Sequence, residues 1–137
     1  MSTQEKNNKK LLADLLAQID SRDLTNIEAF YHKEYIEHNT YSIKSHKPGI
    51  EGVKYGFTVF MEAFEEYTHT IEDMLAEGEK LAARITFSGI FTKPLFNHPP
   101  TGERVTATGI AIYTIINGKI TEKWGYFNTL QFLGVVS

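Results

Sequence analysis

The residues best suited to chemistry sit near the C-terminus, where Glu122, Trp124, Tyr126 and Asn128 occupy every second position of the segment from Lys119 to about Leu130. Side chains on a β-strand alternate faces, so these four share one face while Thr121, Lys123, Gly125 and Phe127 share the other. A carboxylate, an indole, a phenol and an amide are an odd set for a plain core, and the row is expected to line a pocket. Glu122 is then a candidate acid or base, against the plainer reading of a solvated glutamate at a strand end. Asn128 is a candidate hydrogen-bond donor to a carbonyl or enolate oxygen. Trp124 and Tyr126 would be walls for a ligand. His38 is a second candidate base, because imidazole titrates near neutral pH; a structural histidine bonded to backbone is its plainer reading. Arg84 lies in phase with Thr86 and Ser88, placed to pair with Glu122 or to meet an anionic or carbonyl oxygen. His69, at a strand start, and His98, in a loop, have weaker claims.

These side chains need a frame to hold them. Asn117-Gly118 is the strongest hairpin signal in the chain, because a type I′ turn needs positive φ at both central residues. It joins a segment dense in Val, Thr, Ile and Tyr, Arg104 to Ile116, to the one that carries Trp124. Thr68 to Ala76 and Lys80 to Thr92 read as two more strands, with a turn at Glu77-Gly78-Glu79. A loop with Pro94, Pro99 and Pro100 follows them. Ahead of the strands, Leu11, Leu12, Leu15, Leu16 and Ile19 form the apolar stripe of a helix. Met1 to Asn8 are expected to be frayed. Thr25 and Glu28 have capping-box spacing for a second short helix. Tyr35 to Thr40 reads as a short extended piece and Ser45 to Gly49 as a loop. A third helix starts at about Ile50, with Val53, Phe57, Phe60 and Phe64 on its apolar side. Those phenylalanines are core in the plain reading; Phe60 and Phe64 are expected to add an apolar wall to the cavity. Helices followed by a run of antiparallel strands argue for an α+β domain, its sheet curled over the helices.

Composition narrows the function classes. A chain of 137 residues, 42% hydrophobic and 12% aromatic, suits one globular domain over 1–137 and argues against disorder. The formal net charge of −3 and the lack of a basic patch beyond Lys9-Lys10 argue against nucleic acid as a partner. Without cysteine there is no thiolate chemistry, disulfide or sulfur-ligated metal. No apolar run is long enough to span a membrane, and the polar start lacks a signal peptide's apolar stretch, so a cytoplasmic protein is the default expectation. The histidines show no HxxxH or HxH spacing, and there is no phosphate loop or GxSxG elbow. Metal-dependent, nucleotide-dependent and covalent catalysis are therefore not expected.

Several segments taken together resemble a known family. They are Tyr35-Ile36-Glu37-His38-Asn39, Gly49-Ile50-Glu51-Gly52-Val53, Glu72 to Glu79, Pro99 to Val105, Gly109-Ile110-Ala111-Ile112-Tyr113 and Asn117 to Trp124. In order and spacing the chain is similar, over about residues 10 to 134, to the SnoaL-like polyketide cyclases, or predicted ester cyclases, of the nuclear-transport-factor-2-like superfamily. The resemblance implies a cone-shaped α+β barrel with an apolar pocket at its wide end and a homodimer through the outer sheet faces. It also implies ring closure by intramolecular aldol condensation, without metal or cofactor, on a small apolar organic ligand. A pocket aspartate near the end of the last strand is the family's general acid/base. A carboxylate in a dry pocket suits that work because desolvation raises its pKa. The corresponding position here is Asn128, an amide that cannot titrate, and a second pocket position that is often polar or acidic in relatives is Ala111.

Two readings follow. In the first, the chain is a cofactor-free cyclase or isomerase, with His38 or Glu122 as base, Asn128 polarising an oxygen, and Phe60, Phe64 and Trp124 shaping the cavity. In the second, it is a non-catalytic ligand-binding or interaction module, since the expected aspartate is Asn128. Water-activating hydrolysis is a weaker third option. All rest on the even-numbered row around Trp124 facing inward.

Overall fold

In the computed structural model, residues 1–38 and 48–135 are described; Asn39, Thr40, His46 and the expected loop as far as residue 47 lie outside them. Helix α1 runs Thr3–Asp20. It is not frayed at its start: the Ser2 side chain accepts from Glu5 N–H at 3.1 Å, and Glu5 Oε1 accepts from Ser2 N–H at 2.8 Å. That capping box satisfies N–H groups a helix start leaves open. Glu5 Oε2 also accepts from Gly78 N–H at 2.9 Å, pinning the helix to a strand turn. Leu12, Leu15, Leu16 and Ile19 are buried, as the stripe predicts.

The second helix shrinks to a single 3-10 turn, Ile27–Phe30. Asn26, at positive φ, takes the cap position without a side-chain bond, and Thr25 N–H is held by Asp23 Oδ1 at 2.8 Å, so the Thr25–Glu28 capping box does not form. Helix α2 spans Gly49–Ala63 and passes directly into a strand at Phe64.

The strands are β1 (Tyr31–Glu37), β2 (Phe64–Glu77), β3 (Lys80–Phe91), β4 (Arg104–Ile116) and β5 (Lys119–Phe127). They form one sheet in the order β1-β5-β4-β3-β2, with β1 parallel to β5 and the other pairs antiparallel. Asn117 and Gly118 both have positive φ, as the hairpin requires. β5 stops at Phe127 rather than near Leu130, because Asn128 starts the short helix α3 (Thr129–Phe132): its Oδ1 accepts from Leu130 N–H at 3.0 Å. The inner face of the sheet carries Leu81, Ala83, Ile85 and Phe87 of β3 and Val105, Ala107, Ala111, Tyr113 and Ile115 of β4, all buried. α1 packs on β2 and β3, and α2 on β1 and β2. Among the described residues no helix is long and apolar enough to cross a membrane.

One irregularity decides which side chains look inward. β4 and β5 pair Ile115 with Ile120 but Thr114 with Glu122, so Thr121 is an extra residue, a β-bulge. Ile120 is fully buried on the inner face. Beyond the bulge the parity flips. Lys123, Gly125 and Phe127 pair with the inward Tyr113, Ala111 and Gly109, while Glu122, Trp124 and Tyr126 pair with the outward Thr114, Ile112 and Ile110. A Cβ on Gly109 would stand 2.2 Å from Phe127 Cδ1, so that glycine makes room for the inward ring.

Candidate functional site

Between the helices and the inner face lies a cavity of about 140 Å³. Leu15 and Leu16 of α1, Val53, Phe57 and Phe60 of α2, Ile85 and Phe87 of β3, and Phe127 and Phe132 supply apolar walls. Polar side chains enter at two places.

The first is His69, on β2. Asp20, the last residue of α1, accepts from the His69 backbone N–H at 2.8 Å, and its other oxygen lies 2.7 Å from His69 Nδ1. The carboxylate can only accept, so the neutral ring carries its proton on Nδ1 and keeps the lone pair on Nε2. Nε2 has no partner among the described residues. The His69 side chain is only 11% exposed and its ring meets the Tyr67 ring edge-on at 4.8 Å. Burial raises the Tyr67 phenol far above its ordinary value, with Asp20 adding to the rise, so Tyr67 remains a neutral donor. This is an oriented imidazole in a mostly apolar cavity, equipped to take and return a proton.

The second is the pair Lys123 and Glu37, cross-strand partners on β5 and β1. Tyr35 donates to Glu37 Oε1 at 2.9 Å. Lys123 Nζ lies 5.8 Å from the centre of the Tyr113 ring. Burial, the largest influence, opposes the Lys123 charge, but attraction to Tyr113 once that group ionises, and to the Glu37 carboxylate, outweighs it and holds the amine above its ordinary value. Tyr31 and Tyr113 are raised by burial and stay protonated.

The residues expected to surround the pocket are placed differently. Glu122, Trp124 and Tyr126 share one face as alternation requires, but beyond the bulge at Thr121 that face is the outer one. The inward row on which the readings from sequence rested is therefore absent, and a site in the cavity has to be built from other residues. His38 stacks on Trp124 out there, ring centres 4.3 Å apart and nearly parallel, and its Nε2 is 2.8 Å from Glu122 Oε1. Glu122 Oε2 accepts from Thr114 at 2.8 Å and lies 3.6 Å from Lys80 Nζ. The bonds from His38 and Thr114 hold the Glu122 carboxyl below its ordinary value. Arg84 is also outside and pairs with Asp73 at 3.2 Å instead of Glu122. Asn128 is exposed and its amide oxygen is committed to the α3 cap. Phe60 lines the cavity, whereas Phe64 is buried behind it, its ring 5.1 Å from that of Phe91. Ala111 is buried on the inner face, opposite Gly125.

Asp20, Glu37, Tyr113 and Lys123 have no claim to a site from the sequence alone, and His69 has only a weak one. The only hints lay in residue types: Asp20 closes the apolar stripe of α1, and His69 is the second residue of the expected strand from Thr68.

A family model for SnoaL-like polyketide cyclases matches residues 10–134. A search of curated proteins finds no match. Among solved structures, TsrD from Streptomyces laurentii is 26% identical, with 98% of this chain and 100% of that chain covered at a TM-score of 0.85. AclR from Streptomyces galilaeus, described as a hydroxylase candidate, is 20% identical, with 97% and 88% covered at a TM-score of 0.80. A SnoaL-like polyketide cyclase from Agrobacterium tumefaciens is 16% identical, with 96% of each chain covered at a TM-score of 0.76. The latter two likenesses concern the fold, an α+β architecture with a curved sheet over N-terminal helices, of the nuclear-transport-factor-2-like kind expected from the sequence. On the match that covers nearly its whole length, the chain belongs to the SnoaL-like polyketide cyclase family.

Proposed function

We propose that the chain binds a small, largely apolar carbonyl compound in the inner cavity and carries out cofactor-free proton-transfer chemistry on it, of the cyclase or isomerase kind, with His69 as general acid/base. The observation that carries this reading is the 2.7 Å contact of His69 Nδ1 with Asp20, which leaves Nε2 as the acceptor in an apolar cavity. Nε2 takes a proton from the carbon next to the carbonyl. The C–H electron pair becomes the enolate double bond, and the carbonyl π pair moves onto oxygen. In a cyclisation the enolate carbon attacks a second carbonyl of the same molecule, one C–C bond forms, and the resulting alkoxide takes the proton back from the imidazolium. Walls such as Phe57, Phe60 and Phe87 fold the ligand so that its ends meet, and proximity lowers the barrier.

Asn128 favours the second reading, a ligand-binding module without catalysis, because the family's carboxylate position holds an amide engaged in a helix cap. Deuterium exchange α to the carbonyl of a panel of aryl and alkyl ketones separates the two. Wild type is expected to catalyse exchange, and His69→Gln to slow it by roughly 10²- to 10⁴-fold. His38→Ala and Glu122→Gln, both on the outer face, are expected to leave it within about twofold, as surface substitutions remote from the chemistry do. Unchanged exchange in His69→Gln, or loss of exchange in His38→Ala, contradicts the assignment; no exchange on any ketone supports the binding module.

The outer face, with Ile110, Ile112 and Tyr126 at 50%, 37% and 62% exposure, is proposed as the surface through which two copies pair, as the family resemblance implies.

A further inference from the structure

The cavity has a second polar place that the proton-transfer reading does not use. His69 is level with Phe87 and Ala107 across the sheet, whereas Lys123 is level with Tyr113, six residues further along β4. That is roughly 20 Å of strand before curvature and side-chain reach shorten the gap. Lys123 and His69 therefore meet different atoms of a ligand.

Lys123 and Glu37 are neighbours across two strands, yet among the described residues no ion pair joins them. Glu37 Oε1 is engaged by Tyr35, and Oε2 has no described partner. A Cβ on Gly125 would come within 3.4 Å of Lys123 Cε and 3.9 Å of Nζ, so the glycine keeps that flank of the ammonium clear of a side chain. Glu37 has its Tyr35 bond and Lys123 lies over the Tyr113 ring, but among the described residues neither Glu37 Oε2 nor Lys123 Nζ has a direct hydrogen-bond partner. Leaving such half-buried charged atoms unbonded is costly, and a ligand that bonds both recovers that cost. The two charges cancel. An anionic ligand would meet the Glu37 carboxylate and a cationic one the Lys123 ammonium. A neutral group with an acceptor and a donor on neighbouring atoms satisfies both at once.

We propose that Lys123 and Glu37 form the recognition end of the pocket, and that the ligand presents to them a neutral acceptor–donor group such as a hydroxy ketone or a primary amide. This rests on the reading of the cavity as a small-molecule site, but not on His69 being catalytic. The cavity is about the size that holds a benzene ring, so single-ring probes suit it. Phenacyl alcohol and benzamide carry the acceptor–donor group; acetophenone lacks the donor, benzoate is an anion and benzylammonium a cation.

Affinities measured by NMR titration are expected to favour phenacyl alcohol and benzamide over acetophenone by about tenfold or more, as for a site built to hydrogen-bond a group the analogue lacks. Both charged probes should bind more weakly than acetophenone. Lys123→Met and Glu37→Gln, each checked for folding by circular dichroism, should cut the advantage to about twofold or less. Tightest binding of benzoate or benzylammonium, or an advantage that survives both substitutions, overturns the proposal. Acetophenone binding with exchange but without the donor's advantage overturns it alone and leaves the proton-transfer reading intact. Binding of none of the probes by wild type removes both.

Discussion

Glu122 shows how far a side chain's role depends on its surroundings. It accepts from His38 and Thr114, and these bonds, with Lys80 nearby, hold its carboxyl below the ordinary value of 4.5. The folded protein therefore gives up this proton more readily than the unfolded chain does. The stability contributed by the bonds is complete above the ordinary value and is lost as pH falls through the lowered one. Urea unfolding is expected to show Glu122→Gln less stable than wild type at about pH 6, with the difference shrinking towards about pH 3. A difference that stays constant over that range contradicts the role assigned to these bonds. At this scale the sequence revealed chemical types but not neighbours. His38 and Glu122 were singled out and do meet, on the outside of the sheet. Asp20 and His69, 49 residues apart, gave no motif, because their contact is made by the way α1 returns to β2.

At the scale of elements, much of the fold was legible. The Asn117-Gly118 turn has the positive φ values its type demands, and β4 spans the residues expected of it. The apolar stripe of α1 is buried as periodicity requires. The β-bulge was not legible: Ile120-Thr121-Glu122 contains no glycine or proline to mark it, and a strand read without its partner has no register. One inserted residue moved the whole row from the core side to the outer side. The consequence is an outer sheet face with Ile110, Ile112 and Tyr126 exposed beside Trp124, the face proposed for dimerisation. Sedimentation equilibrium is expected to give a dimer mass for wild type. Ile112→Lys, which sets a charge in the centre of that face, is expected to weaken association at least about tenfold. A monomeric wild type, or a variant that associates as tightly, argues against this surface.

At the scale of the whole molecule, a curved sheet and two helices enclose a cavity whose apolar walls isolate two polar places. Family membership is consistent with that plan, and Asn128, where the resemblance leads one to expect a carboxylate, is an amide whose oxygen caps α3. The inward parity beyond Thr121 then decides where a ligand sits. The most direct measurement is of intermolecular nuclear Overhauser effects between bound acetophenone and isotope-labelled protein. Contacts to Phe60, Phe127 and the His69 ring are the predicted result; contacts to Trp124 and Tyr126 in their place would contradict it.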